Sequence, residues 1–295
     1  MLDFKTSLIL KIISSLFFLI SGIVWKKILI NKGKNYHYIF YRVIATLLFF
    51  LLLKFYFQYN EIENFNKVIS VISFMDWLVC ISICLFSFWG LYFYTEALQN
   101  GRLSFIAPLN GISYIFSFIT SVIIFNEALS STKYVSLLLI ILGLFIHQKD
   151  KLVDFKISKE VLLTLLFSII WGISFVLYLI PIKKFGALNF SVILELCVFM
   201  SCVGLLIFKE KRIIPPRLNN NSLLLCLLMG FLVAGGSLLS NFTLTQFPVS
   251  LNILIGLLFE IIVLSIGLYF FKEKLKKKDW LLIGFATTSG FLLSF

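Results

Sequence analysis

From Ser250 to Phe271 the chain reads SLNILIGLLFEIIVLSIGLYFF, an almost uninterrupted apolar run. Glu260 is the one residue in this stretch that is charged at neutral pH. At 1.5 Å per residue an α-helix of this length extends ~33 Å, enough to cross the ~30 Å hydrocarbon core of a bilayer. An isolated strand would leave its peptide groups unpaired in lipid. The stretch therefore predicts a transmembrane helix with a carboxylate near its middle.

The composition extends this interpretation to the whole chain. Of its 295 residues, 60% are hydrophobic and only 14% are charged, whereas soluble domains carry ~25% charged residues. A soluble core cannot hold so much apolar surface while so few polar residues face water. The composition excludes an ordinary soluble protein and predicts an all-α polytopic membrane protein.

Ten apolar runs predict ten transmembrane helices. Most are long enough for one crossing and hold few charges. The first run lacks a small-residue cleavage site and ends at Lys26 and Lys27, so we interpret it as a retained crossing and not as a signal peptide. The runs cover residues 7–25, 38–57, 77–97, 104–125, 133–147, 160–180, 188–208, 221–245, 248–271 and 279–295.

The charged and reactive residues exclude several function classes. The net charge of +12 comes mostly from short loops between apolar runs, which indicates contact with anionic lipid headgroups and not with nucleic acid. The five cysteines lie inside apolar runs, and neither histidine begins a ligand or catalytic motif. The sequence also has no glycine-rich phosphate-binding loop. We therefore expect no metal, no cofactor and no ATP-driven mechanism.

The midpoint of the chain suggests a duplication. Residues 148–159 form its most charged connector and separate five apolar runs from five others. A shift of 146 places residues 126–129 on 272–275, and a shift of 153 places Arg42 on Glu195. Because each half holds an odd number of helices, the second must insert upside down. We predict two inverted five-helix repeats, 1–150 and 151–295, as found in many secondary transporters.

Several segments resemble one transporter family. Residues 94–109 (YTEALQNGRLSFIAPL), residues 126–129 (NEAL) with Leu142 and Gly143, and residues 171–175 (WGISF) are similar to motifs of the EamA family of the drug/metabolite transporter superfamily. Residues 18–21 read FLIS where the family pattern would place Trp-Gly. The resemblance covers nearly the whole chain and implies ten helices in two inverted repeats around a central cavity.

The charges of the loops predict an orientation. The odd-numbered loops hold 18 of the 26 Lys and Arg residues, and the positive-inside rule therefore places these loops in the cytoplasm and both termini outside. The family resemblance implies the opposite orientation. We expect the cytoplasmic membrane of a bacterium as the location.

Charged residues within the runs are the first candidates for a site, because such groups are costly in hydrocarbon unless they face protein or water. Glu260 lies near the bilayer midplane and would bind a substrate amine, take a coupling proton or hydrogen-bond to a neighbouring helix. Arg42 and Glu195 are estimated at ~14 Å apart along the membrane normal. We therefore predict that they line vestibules at opposite faces and form no ion pair; Arg42 could also extend to the interface.

Neutral polar residues would complete the cavity, since they occur in runs that the family places around its pathway. Each could instead be an interhelical hydrogen bond or an interface anchor. Glu127 and Glu273, at helix-turn boundaries, are interpreted as caps of the helices that follow them. The neutral candidates are Trp89, Asn110, Tyr114, Trp171, Ser174, Tyr178, Ser240, Asn241 and Asn252.

These patterns favour a secondary transporter that moves a small organic metabolite or amino-acid-like solute by alternating access. The family resemblance implies export, coupled to exchange or to protons, with membrane lipids as the other partners. Two alternatives stay open. One is a flippase for a lipid-linked carrier, which would need a laterally open groove. The other is an integral membrane enzyme, which would need clustered His, Asp or Glu at a membrane face.

Overall fold

The computed structural model describes residues 4–30, 33–58, 72–125, 131–152, 159–244 and 249–293, and within these ranges all regular secondary structure is α-helical. The helices are α1 (Phe4–Leu29), α2 (Asn35–Gln58), α3 (Phe74–Asn100), α4 (Leu103–Leu109), α5 (Gly111–Phe125), α6 (Ser131–Leu152), α7 (Lys159–Leu177), α8 (Leu179–Phe185), α9 (Ala187–Glu210), α10 (Asn220–Leu244), α11 (Val249–Phe270) and α12 (Lys277–Leu293).

These helices lie over the ten predicted runs, two of which are divided. The run 104–125 is divided at Asn110, between α4 and α5, and the run 160–180 at Tyr178, between α7 and α8. The second break has a local cause, because Pro181 has no N–H to donate to the carbonyl of Leu177 one turn earlier. Each of these two runs therefore contains two consecutive helices.

Six stretches of the described residues are long and apolar enough to cross a membrane. That the other four runs also cross, which makes ten helices in all, stays a prediction. The six stretches are Lys5–Leu29, Asn35–Phe55, Phe74–Asn100, Lys159–Phe185, Ala187–Glu210 and Asn220–Leu244.

The chain forms two compact units, and each draws residues from both predicted repeats. Unit 1 comprises Met1–Phe88 and Leu177–Gln246, and unit 2 comprises Trp89–Val176 and Phe247–Phe295. The repeats 1–150 and 151–295 concern which positions of the two halves correspond in sequence. They therefore differ from the compact units and stay a prediction.

In unit 1, α10 packs against both α1 and α2, and α2 also packs against α9. Gly230 allows the close approach of α10 to α2, because a Cβ at this position would meet the Cβ of Ala45 and lie 2.8 Å from the backbone nitrogen of Thr46. The hydroxyl of Ser14 donates to the carbonyl of Gly236 at 2.8 Å and joins α1 to α10. A second part of the core, formed by α3, α8 and α9, holds Cys80, Ile83, Cys84, Tyr178, Ile182, Phe185, Phe190 and Cys197.

In unit 2, α12 packs against α6, and α11 packs against α4. Ser136 and Ser289 join α6 to α12 through two reciprocal bonds, in which each hydroxyl donates to the other residue's carbonyl at 2.6 and 2.8 Å. Gly267 lets α11 approach α4, since a Cβ there would lie 2.7 Å from the backbone nitrogen of Ser104. The apolar core of this unit comprises Phe105, Leu109, Ile112, Ile115, Phe118, Val161, Leu282 and Ala286.

Candidate functional site

A buried ion pair joins α2 to α9 in unit 1. Nη1 of Arg42 donates to both carboxylate oxygens of Glu195, at 2.7 and 2.8 Å. The side chains are only 2% and 5% exposed, so water does not screen the attraction between them. The prediction that these residues lie apart at opposite faces and form no ion pair is therefore wrong.

The geometry of the two helices explains this error. Helices α2 and α9 are antiparallel neighbours, because Tyr36 near the start of α2 donates to Glu210 at the end of α9. Arg42 is six residues beyond Tyr36 and Glu195 is fifteen residues before Glu210, which separates their backbones by ~13 Å along the helices. The hydrogen bonds between Nη1 of Arg42 and the carboxylate show that the two side chains span this offset. Backbone depth alone therefore does not predict whether the two groups meet, because the lengths of both side chains also matter.

The ion pair does not use the whole guanidinium. Nε of Arg42 is buried, and none of the residues that the structure describes accepts a hydrogen bond from it. A buried N–H of a charged group is costly without an acceptor. Arg42 therefore has a donor that an anionic group entering the protein could use.

Asn241 belongs to the same region of unit 1. Its side-chain amide donates to the hydroxyl of Ser191 at 2.8 Å, and both residues are buried. Ser191 precedes Glu195 by four residues on α9, so the two lie on one face, one turn apart. Asn241 therefore contacts α9 one turn from Glu195, the partner of Arg42.

Tyr178 and Ser240 are also in unit 1. Tyr178 is buried at the break between α7 and α8, where its hydroxyl hydrogen-bonds to that of Ser87 and its ring packs against Phe190. Ser240 is partly buried on α10, and its carbonyl accepts a hydrogen bond from Thr243 at 3.2 Å.

The predicted aromatic residues of unit 2 differ in exposure. Trp171 is partly buried against Gly90, where a Cβ would lie 2.6 Å from its Nε1, and its ring lies 5.0 Å from that of Tyr94. Trp89 is 43% exposed and contacts the ring of Tyr92. The structure therefore gives Trp171 an interhelical contact and leaves much of Trp89 at the surface.

Three of the predicted polar residues of unit 2, Ser174, Asn110 and Tyr114, have described side chains. Ser174 is buried, but its hydroxyl donates to the carbonyl of Ile170 in its own helix. Asn110 lies at the break between α4 and α5, and the hydroxyl of Tyr114 lies directly against Gly256 of α11.

Two predicted candidates fall outside the described side chains. Glu260 and Asn252 belong to α11 by backbone, and their side chains lie outside the described part of the structure. The proposed roles of these residues stay predictions.

A second polar cluster, in unit 2, was not predicted as a unit. Nη1 of Arg102 donates to Asp279 at 2.7 Å, and the backbone N–H of Arg102 donates to Glu160 at 2.9 Å. Partial burial opposes the charge of Arg102, but the hydrogen bond to Asp279 and the charge of Glu160 raise its pKa above the ordinary value. These residues tie the turn between α3 and α4 to the first turns of α7 and α12. The sequence signal was a lone arginine in a short loop with acidic residues at two helix starts.

Glu273 is a helix cap, but not of the helix that follows it. Its two carboxylate oxygens accept from the backbone N–H groups of Leu103 and Ser104, at 2.9 and 2.7 Å. These are first-turn donors of α4, so the cap joins residues 170 and 169 positions apart. The prediction that Glu273 caps the following helix is wrong about the helix. The matching prediction for Glu127 lies outside the described residues.

Unit 1 carries a third cluster, around Glu210 at the end of α9. Its carboxylate accepts from Lys34 at 2.8 Å and from the hydroxyl of Tyr36 at 2.7 Å, and it contacts Nε2 of His37 at 2.7 Å. The hydrogen bond to this carboxylate raises the pKa of Lys34. The cluster joins the short turn before α2 to the end of α9 and positions these two helices beside each other.

A metal site would need several ligands in one place. Among the residues that the structure describes, no group of three or more His, Cys, Asp or Glu is arranged to hold a metal ion. Cys80, Cys84 and Cys197 share the apolar core of unit 1, and all five cysteines are free thiols.

Comparison with known proteins identifies the family. One solved crystal structure of a protein aligns with 98% of this chain and 96% of its own, with a TM-score of 0.61 at 10% sequence identity, which shows the fold alone. None of the curated proteins matches the chain. The pattern of the EamA-like transporter family matches residues 5–147 and 158–295. The chain is an integral multi-pass membrane protein, and it belongs to the EamA-like transporter family, whose members are drug or metabolite transporters and not enzymes.

Proposed function

We propose that this protein is a secondary transporter that exports a small organic metabolite or amino-acid-like solute by alternating access, from a bacterial cytoplasmic membrane. The family match supports transport, and one observation supports the solute class: the buried pair of Arg42 and Glu195. Charged groups buried among apolar helices are costly, so their presence favours a functional role.

The pair has the chemistry to recognise a zwitterion. Arg42 retains a buried Nε–H that could donate to a substrate carboxylate. As the substrate carboxylate competes for Arg42, Glu195 is released and becomes an acceptor for the substrate amine or for a proton. Binding would thus exchange an internal ion pair for two contacts with the substrate, and the exchange supplies the differential interaction that alternating access requires.

The repeat organisation supports the same mechanism. Arg42 and Glu195 are 153 positions apart. This spacing equals one of the two shifts, 146 and 153, that relate the proposed repeats 1–150 and 151–295. Residues that are equivalent in two inverted repeats contact each other only where they lie near the pseudo-two-fold axis. In transporters of this design, substrates bind at the repeat interface.

The remaining candidates have proposed roles along the pathway. Asn241 extends the polar region around Arg42 and Glu195, while Trp171 and Tyr114 are proposed to shape the pathway in unit 2. Glu260 is proposed as a second proton or amine site. Trp89, Asn110 and Ser174 complete the set of proposed lining residues.

Counterflow in proteoliposomes tests the proposal. Vesicles preloaded with one unlabelled solute are presented with the same solute in labelled form, over a panel of amino acids and small organic acids. We expect exchange of at least one amino-acid-like solute, and a loss of tenfold or more in Glu195→Gln. The matched control is Glu96→Gln, which alters a partly exposed acidic residue that contacts Lys159 at 3.1 Å and should keep the wild-type rate.

Two results would contradict the proposal. One is the absence of counterflow with every solute of the panel while the protein scrambles lipid-linked sugars, which would make it a flippase. The other is equal exchange in Glu195→Gln and the wild-type protein.

A further inference from the structure

Unit 1 contains a cavity that the transport proposal does not use. Its volume is about 550 Å³, within the range of sites that hold small molecules. It is lined by residues of α2, α3, α8 and α9, and the sequence around these positions is almost entirely apolar. The lining residues are Lys54, Trp77, Ile81, Leu85, Phe185, Asn189, Val192, Ile193, Leu196, Cys197 and Met200.

The polar and apolar residues of this cavity are separated along its length. Lys54 is near the end of α2 and Asn189 is near the start of α9, whereas Leu196 and Met200 lie deeper along α9. From Asn189 to Met200 the helix rises ~16 Å, which matches the ~15 Å depth of one leaflet of the hydrocarbon core. The cavity therefore has the dimensions and polarity of an amphiphile with its head at one end.

The cavity opens to the side of the protein. Leu196 is 46% exposed and Met200 is 63% exposed, although both line the cavity. In a membrane these surfaces face lipid, so an acyl chain can enter from the bilayer without crossing the polar ends of the helices. A polar solute would find few hydrogen-bonding side chains here, which argues against this cavity as the transport site.

The charged residues near the polar end of the cavity, where Lys54 and Asn189 lie, favour an anionic head group. Lys183 and Lys184 end α8 beside Phe185, and Lys184 lies 3.8 Å from Asp76. Lys54, near the end of α2, adds a third cation at this end of the cavity. Three lysines therefore lie at the polar end of the cavity, where they would attract an anionic head group.

We propose that this cavity is a binding site for an anionic phospholipid. One acyl chain occupies the apolar part of the cavity, between α3 and α9, and the phosphate of the lipid contacts Lys54. The lipid fills the space between these helices from one leaflet and is a resident partner of unit 1, distinct from the transported solute.

Photo-crosslinking with native mass spectrometry tests this proposal. The full-length protein is delipidated in detergent and given phosphatidylglycerol or phosphatidylcholine, each with the same diazirine-bearing acyl chain. We expect one phosphatidylglycerol to be retained at least threefold more than phosphatidylcholine, with adducts concentrated on the peptides that contain Trp77, Leu85 and Leu196.

Matched variants separate the head-group contact from the chain contact. Lys54→Gln should reduce the preference to near parity, while Lys27→Gln, at the end of α1, should leave it unchanged. Met200→Trp should fill the apolar part of the cavity and reduce retention of both lipids threefold or more. Leu228→Trp, on the exposed face of α10, should leave retention of both lipids unchanged.

The proposal is overturned by any of three results. The first is equal retention of the two lipids by the wild-type protein. The second is an even spread of adducts over exposed residues such as Leu224 and Leu228. The third is full retention of lipid in Met200→Trp, which would show that the lipid binds outside this cavity.

Discussion

At the scale of single residues, Arg42 and Glu195 stabilise each other in surroundings that would tolerate neither alone. Both are buried, and the two hydrogen bonds from Nη1 compensate the carboxylate for the water that it has lost. Such a pair is not strongly stabilising compared with two apolar residues, because desolvation of both charges is costly. Removing one partner is different, since it leaves the other charge buried and uncompensated.

This asymmetry gives a stability prediction. We expect Arg42→Met to lower the free energy of unfolding by ~3–5 kcal/mol, and Arg42→Met with Glu195→Leu to restore it to near the wild-type value. Thermal unfolding of the purified protein in detergent measures the difference. A single variant as stable as the double variant would show that the charges are not paired.

Sequence reasoning identified these two residues but not their contact. Charged residues are rare in the apolar runs, so their charge alone was enough to identify Arg42 and Glu195 as candidate site residues. Their pairing depends on side-chain length and on the stagger of two antiparallel helices, which hydropathy does not record. The cap made by Glu273 was misplaced for a similar reason, because its acceptor oxygens serve a helix some 170 positions earlier.

At the scale of helices, small residues set how closely α2 and α10 approach. Gly230 faces Ala45 and the backbone of Thr46, and an added methyl group would overlap with both. Close packing of small residues is a main source of helix association where lipid removes the hydrophobic driving force. Hydropathy does not distinguish Gly230 from a glycine without close contacts such as Gly204, since both lie within apolar runs.

Two glycine variants test this contact. Gly230→Ala should separate α2 from α10 and destabilise the protein by ~1–3 kcal/mol. Gly204→Ala is the matched control, because a Cβ there would meet nothing within 4 Å, and alanine favours a helix over glycine. The midpoint of thermal unfolding should fall in the first variant and stay or rise in the second. Equal midpoints would contradict the assigned contact.

At the scale of the whole molecule, composition was enough to predict a helical membrane protein, and the family match bears this out. Six of the predicted crossings are present as long apolar helices. The breaks at Asn110 and Tyr178 were not predicted, since hydropathy continues through both positions. Composition also does not reveal that each compact unit combines residues from both halves of the chain.

The orientation of the whole molecule is a separate prediction. Because 18 of the 26 basic residues lie in odd-numbered loops, we expect these loops in the cytoplasm. A reporter that is active only in the cytoplasm, fused after Leu293, should then be inactive, and one inserted between α9 and α10 should be active. The reverse pattern would support the orientation that the family resemblance implies.

The most direct test of the central claim is counterflow by Arg42→Met with Glu195→Leu. This double variant removes both charges and is expected to fold, so it separates a role in transport from a role in stability. We expect a folded protein whose exchange of an amino-acid-like solute is at least tenfold slower than that of the wild-type protein. A folded double variant that exchanges this solute at the wild-type rate would show that the buried pair is structural and would contradict the account.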